Sequence, residues 1–324
     1  MAARSFVYAV VAMAMLAAPA LAASERDRSD CQGSEPTRMI SGCTRVIEDM
    51  GEAPRQRALA LYMRGLAYIA RGDADRAIAD YDESIRLDPR NGLTFNERGL
   101  AFGAKGNLDR AVADFDRAIE LHPGHGDIHY NRGKALLRAD EIDRAIADFD
   151  QAIKLGPTSL IATATNDVIT KLTVARIKSD YFHIRAHAKF LQGKYADAAS
   201  DYAQVVALRR DDPYPALQLH LARARSGQSG GIAELQAARS AIKQGEWPYP
   251  VVELLLNRKT AMEALALAQT PDQRCEAHYY IGEWNLVRAD NGAAEMALQT
   301  AAATCATDFS EYQLAQAELR RLRR

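Results

Sequence analysis

The sequence has 324 residues, 48% of them hydrophobic and 26% charged. Lys and Arg total 41 against 42 Asp and Glu, a formal net charge of −1, which excludes a protein held to nucleic acid or anionic lipid by bulk charge. With 20 Gly and 11 Pro the composition is not that of a disordered or collagen-like chain, and it favours a soluble, helix-rich protein.

The first residues read as a leader. Arg4 precedes an apolar run from Phe6 to Ala18, followed by Pro19 and then Ala20-Leu21-Ala22. A charged start, a short apolar middle and a small-x-small step mark a secretory signal peptide over residues 1–22, cleaved after Ala22. The run of 13 residues is too short to span a bilayer comfortably. A lipid anchor needs Cys directly after the cleavage point, whereas Cys31 lies nine residues beyond Ala22. The expectation is a periplasmic or secreted protein with no lipid anchor and no stable membrane insertion.

Residues 58–159 carry a repeat. Ala58–Asn91, Gly92–His125 and Gly126–Ser159 align without gaps at a spacing of 34, and twelve of the 34 columns hold one residue in all three copies. Three in-phase copies of that quality exclude coincidence. Arg64-Gly65, Arg98-Gly99 and Arg132-Gly133 recur, as does Asp-Arg-Ala at Asp75–Ala77, Asp109–Ala111 and Asp143–Ala145. Tyr81, Phe115 and Phe149 share an aromatic column, and Pro89, Pro123 and Pro157 close each unit. Glycine suits a close helix approach, Ala77, Ala111 and Ala145 are its small partners, the aromatic column fills the seam between repeats, and proline ends each second helix.

Weaker copies flank the three. In residues 23–57, Thr37–Asp49 is in phase with Asp75–Arg86 and reads as a preceding half-repeat with Cys43 in the aromatic column. Residues 160–178 are an insertion in which Val168, Ile169, Leu172 and Ala175 follow helical spacing. Residues 179–245 hold degenerate repeats, with Gly193, Ala198 and Tyr202 in register but Ala186 in the glycine column. In residues 246–272, Trp247-Pro248-Tyr249-Pro250 interrupts the pattern and Thr260-Ala-Met-Glu263 predicts a capping box. Residues 273–324 return to register with Gly282, Ala294 and Leu298, then end in a capping helix whose basic end, Arg320, Arg321, Arg323 and Arg324, suits a solvated helix C-terminus.

A 34-residue period of this Gly–Ala–aromatic–Ala–Pro form resembles the tetratricopeptide repeat (TPR). The resemblance implies an all-α fold, a right-handed superhelix of stacked helix pairs with a concave inner face that binds a protein or peptide. Over the whole chain, the leader, the repeats, the Trp247-Pro248 segment and the Cys275–Tyr312 repeat resemble exported bacterial TPR proteins, including the Nlp-type envelope lipoproteins. That resemblance implies a scaffold for envelope proteases or cell-wall hydrolases. The first alternative is a broad-specificity, chaperone-type holdase, and the second is a metal-dependent enzyme.

The four cysteines form two local pairs, and none sits in a C-x-x-C, so zinc or thioredoxin-like chemistry has no support. Cys275 opens the first helix of the last repeat and Cys305 follows the end of the second. Antiparallel helices bring those ends together, which predicts a disulfide in an exported chain. Cys31 and Cys43 are expected to tie the leader-proximal segment to the half-repeat.

Chemistry-bearing clusters are sparse. His122, His125 and His129 lie across one turn, and His183 and His187 sit four apart on a predicted helix with Ile184 between them. Neither set has a carboxylate or Cys completing a recognised ligand spacing, so a polar turn and a surface or groove pair are the readings, with no metal and no cofactor expected. No P-loop, Gly-x-Ser-x-Gly or dinucleotide glycine run occurs. Asp80, Asp114 and Asp148 recur with Arg64, Arg98 and Arg132 in every repeat, which suits structural ion pairing rather than a unique acid and base. An enzyme is not expected.

The inner wall of a TPR array is built from the first helix of each repeat. Its columns offer Tyr62, Met63 and Leu66 in repeat one, Asn96 in repeat two, and Tyr130, Asn131, Lys134 and Arg138 in repeat three. TPR proteins that clamp a peptide carboxylate place Lys, Asn and Arg in such columns. Asn131, Lys134 and Arg138 match in part, whereas Tyr62 and Leu66 replace the polar residues of repeat one. The expected ligand is an apolar or aromatic segment seated on Tyr62, Met63 and Leu66 and steered at one end by Lys134 and Arg138.

Overall fold

The computed structural model describes residues 22–157, 168–210, 212–228 and 231–324. The expected leader up to Leu21 and the start of the expected insertion, Leu160–Asp167, lie outside the described residues. Among those described there are 17 helices and no strand, an all-α repeat solenoid in class. They form two compact units, one ending at Ala101 and the other running from Phe102 to Arg324.

The first unit holds α1 (Glu25–Cys31), α2 (Pro36–Glu48), α3 (Pro54–Ala70), α4 (Ala74–Leu87) and the start of α5 (Gly92–Ala104). Ser24 starts α1 through a reciprocal capping box with Asp27, which satisfies two amides the helix leaves open. Cys31 and Cys43 form the expected disulfide, with Cα atoms 4.5 Å apart, and it ties α1 to α2. A Cβ on Gly42 would lie 2.5 Å from the Asp27 carbonyl oxygen, so only glycine permits this approach of the two helices. The core here is Ala23, Cys31, Cys43, Val46 and Ala60, with Met63 against it.

The second unit continues with α6 (Leu108–Leu121), α7 (Gly126–Arg138), α8 (Ile142–Leu155), α9 (Val168–Leu191), α10 (Tyr195–Leu208) and α11 (Tyr214–Arg225). Then follow α12 (Ile232–Ala241), α13 (Tyr249–Leu255), α14 (Ala261–Ala266), α15 (Pro271–Val287), α16 (Asn291–Thr304) and α17 (Ser310–Leu322). Helices α7 with α8, α9 with α10 and α15 with α16 pack as hairpins. From Val168 the insertion runs without a break into the first helix of the fourth repeat, as one 24-residue helix. Thr260 caps α14 through the expected box with Glu263. Cys275 and Cys305 are bonded with Cα atoms 4.9 Å apart, closing the last hairpin.

The recurring columns have distinct tasks. A Cβ on Gly65 would fall 2.3 Å from the Tyr81 ring, and one on Gly133 would fall 2.6 Å from the Phe149 ring. The aromatic therefore packs over the glycine of its own repeat, and Phe149 also reaches Ala188 of the next one, so the seam is only part of its work. Arg132 grips Asp148 of its own repeat with two bonds of 2.8 and 2.6 Å and Asp116 of the preceding repeat with one of 2.6 Å. Arg185 does the same with Asp201 and Asp150. Arg64 holds Asp80 with bonds of 2.8 and 2.7 Å, and Arg98 holds Asp82 at 2.6 Å. A planar guanidinium serves two carboxylates from one position, which fixes the register of successive hairpins.

Helix α17 is the expected terminal helix, with Arg320, Arg323 and Arg324 exposed, and it departs from the sequence expectation at Arg321. It packs against α9, α15 and α16, with Glu311, Leu314, Ala315, Glu318 and Leu319 buried. Arg321 is half-buried. It donates to the backbone carbonyls of Phe190 at 3.1 Å and of Leu191, so a residue read as compensating its own helix caps the end of α9 instead.

Candidate functional site

A groove of about 480 Å³ opens in the second unit between α7, α9 and the N-terminal end of α17. Its lining follows from the repeat. Lys134, Leu137 and Arg138 come from the inner columns of α7, and His183, Ile184 and His187 occupy the equivalent columns of α9. The opposite side is polar and comes from Asp308, Ser310 and Gln313. Leu137 and Ile184 are half-buried beside Leu136, Phe149 and Ala188, giving an aliphatic floor.

The cations sit at the lip. Lys134 is exposed, its ammonium 5.4 Å from the centre of the Tyr130 ring. Arg138 is exposed as well, and one of its N–H groups donates to the Gly103 carbonyl at 2.7 Å. That single bond leaves most of the guanidinium fork free for an acceptor in the groove. Burial disfavours the charged form of both histidines. His187 Nε2 lies 3.3 Å from Gln313 Oε1, and burial pushes its pKa down to about 4. His183 Nε2 lies 2.9 Å from Gln218 Oε1 and is also lowered by burial. The positive charge of the groove therefore comes from Lys134 and Arg138.

The other sequence-predicted residues fall in separate places. Tyr130 stacks on Tyr181 at 4.8 Å and Phe149 at 6.1 Å, and burial pushes its hydroxyl up to about 12. Asn131 is half-buried on α7. In the first unit Tyr62 faces Tyr81 at 6.2 Å, its pKa raised to about 12 by burial and by Glu97. Met63 instead joins the cluster around Cys31 and Cys43, and Leu66 is half-buried. Asn96 is buried and donates to Glu97 at 3.0 Å. Tyr62 and Met63, adjacent in sequence, thus serve different neighbourhoods.

The three turn histidines also separate. His122 and His125 stack at 5.1 Å, whereas His129 turns inward to lie 3.3 Å from Asp148. Burial alone would raise the Asp148 pKa, but Arg132 and His129 outweigh it and hold the carboxyl low. Among the described residues no group of three or more His, Cys, Asp or Glu is placed to hold a metal ion. No described helix is long and apolar enough to cross a membrane.

The sequence marks His183 and His187 as a surface or groove pair but does not join them to Lys134 and Arg138. His183, Ile184 and His187 were legible as the continuation of the columns of Tyr130, Asn131 and Lys134. The contribution of Gln313 had no signal, because it depends on how α17 folds back.

Models of the tetratricopeptide repeat match residues 58–91 and 96–159. A tetratricopeptide repeat protein from Parabacteroides merdae is 13% identical, with 80% of this chain and 98% of that one covered and a TM-score of 0.54. PilF of Pseudomonas aeruginosa is 16% identical, covering 82% of this chain and 100% of its own, with a TM-score of 0.48. YrrB, described as a TPR protein with an unusual peptide-binding site, is 16% identical over 62% of this chain and 92% of its own, at 0.48. No curated protein sequence matches. The repeat matches, the hairpins and the shared fold agree: the chain is a member of the tetratricopeptide-repeat superfamily.

Proposed function

We propose that the protein is an exported, non-catalytic scaffold that binds a segment of a protein partner in the groove between α7, α9 and α17. One observation carries the reading: the inner columns of two successive repeats enclose about 480 Å³, with an aliphatic floor and two exposed cations at the lip. An extended segment suits that lining. One apolar side chain on Leu137 and Ile184 contributes about 1.5–3 kcal/mol when fully buried. A carboxylate at Lys134 and Arg138 sets direction and on-rate more than raw affinity. The leader and the oxidised cysteine pairs support a periplasmic or secreted location. A role beside envelope proteases or cell-wall hydrolases follows the resemblance to the Nlp-type lipoproteins.

The test is a crosslinking pull-down from an envelope fraction, followed by binding of the captured segment to the wild type and to a Lys134→Glu, Arg138→Glu variant. The double reversal is expected to weaken binding about tenfold or more without loss of helix. Unchanged affinity would remove the groove from the reading. A broad set of captured proteins, rather than one stoichiometric partner, would favour the holdase.

A further inference from the structure

Two independent observations meet at one peptide bond. The sequence places a small-x-small step, Ala20-Leu21-Ala22, directly before Ala23. In the structure Ala22 is exposed, whereas Ala23 is only 6% exposed and packs with Cys31, Cys43, Val46 and Ala60. One residue further, Ser24 caps α1. Among the described residues, the core of the first unit therefore begins at the residue after the step.

What meets the Ala23 nitrogen is a carboxylate. The Ala23 N–H donates to Asp49 Oδ2 at 2.8 Å in a buried contact, and the Gly51 N–H donates to Asp49 Oδ1 at 2.8 Å. Asp49 is 8% exposed, and the Ala23 and Gly51 amides, with Arg28 adding at longer range, hold its carboxyl below the ordinary range. Among the described residues no side-chain cation forms an ion pair with it. Arg28 is committed to Glu52, and Arg45 to Asp27. A buried carboxylate whose two direct donors are neutral amides has no counter-charge in contact with it, and that cation can come from the backbone nitrogen it already holds.

We propose that the Ala22–Ala23 bond is hydrolysed on export and that the α-ammonium thereby formed on Ala23 makes a buried ion pair with Asp49. Water supplies both new ends: its oxygen completes the carboxylate of Ala22, and its protons go to the Ala23 amine. The nitrogen keeps its position and its 2.8 Å contact, exchanging a neutral amide donor for a charged ammonium donor. The first unit thus holds a socket for one particular new N-terminus, with Asp49 as its anion. The inference rests on the export reading but not on the peptide groove.

Two measurements separate its parts. N-terminal sequencing of the protein recovered from the cell envelope is expected to begin at Ala23; a start at any other residue would overturn the cleavage site. Separately, the chain starting at Ala23 can be prepared by cleaving a fusion that leaves no extra residue, and its α-amine titrated by isotope-edited reductive methylation. The amine is expected to titrate at least one unit above its ordinary value of about 8, and Asp49→Asn is expected to return it there. A second readout needs no side-chain variant: acetylating the Ala23 amine should lower Tm by about 2–4 °C. An ordinary α-amine pKa in the folded wild type, or a Tm indifferent to acetylation, would overturn the ion pair.

Discussion

Glu318 of α17 accepts a hydrogen bond of 2.9 Å from Arg225 of α11, across 93 positions of sequence. The same guanidinium donates at 2.9 Å to Glu283 of α15 and at 2.7 Å to the Tyr195 hydroxyl, which in turn donates to Glu318 at 2.8 Å. Glu283 and Glu318 are almost fully buried. Arg225 is therefore the post to which the terminal helix is tied, and α17 is a fixed wall of the groove.

Cutting that tie should loosen α17 first. Glu318→Ala leaves a buried guanidinium short of a partner, which costs about 3–5 kcal/mol. Hydrogen exchange is expected to show lost protection for the amides of Leu314–Leu319 while α7 and α8 stay protected. Undiminished protection of α17 would show that apolar packing alone holds it.

The same cluster sets a pH dependence. Burial, together with the neighbouring Glu318, raises the Glu283 pKa from 4.5 to about 8 against the pull of Arg225. A raised carboxyl favours the native state at low pH, and that contribution is lost as pH climbs from about 4.5 to 8. His187 runs the other way: lowered from 6.5 to about 4, its contribution is full above 6.5 and lost as pH falls. The two slopes oppose one another between pH 4.5 and 6.5, and only Glu283 acts above that. Urea unfolding should show the wild type weakening from pH 6.5 to 8 by up to about 1.4 kcal/mol per unit, whereas Glu283→Gln, a mimic of the protonated acid, weakens less. Equal slopes in the two proteins would contradict the assignment.

Gly133→Ala sets a methyl 2.6 Å from the Phe149 ring, and overpacking of this kind costs about 1–3 kcal/mol. Gly103→Ala is the control. There the added carbon meets only the Ala111 side chain, at 3.8 Å, so the change should be neutral or stabilising by up to about 1 kcal/mol. Thermal unfolding of both variants checks the pair, and equal effects would refute the packing role of the glycine column.

Replacing Cys275 and Cys305 together by Ser opens the closed terminal hairpin and should cost about 2–5 kcal/mol. Mass spectrometry of the oxidised wild type should find no alkylatable thiol, since all four cysteines are paired. Two free thiols in exported protein would remove one bridge.

The repeat was legible because its interactions recur at fixed spacing. Arg132 and Asp148 announce themselves by their copies, and the same columns extend to Arg185 and Asp201, even though Ala186 has replaced the glycine beside them. The column after the glycine, which holds Leu66 and Lys134, leads on to His187 and Glu283, so half of the groove wall and one member of the buried cluster could be read in this way. The site of α17 could not. Its anchors are pairs such as Arg225 with Glu318 and His187 with Gln313, formed once between distant positions, and neither periodicity nor composition records them. Tyr62 and Met63 show the complementary failure. Membership of an inner column says which helix face a residue lies near, but adjacent columns can turn into different neighbourhoods.

The most direct measurement is site-specific photo-crosslinking in intact cells, with the photoreactive residue at Ile184 on the groove floor or at Met296 on the exposed side of α16. The expected result is one discrete adduct from Ile184, none from Met296, and loss of the adduct when Lys134→Glu and Arg138→Glu are introduced. An adduct from Met296 with none from Ile184 would contradict partner binding in the groove.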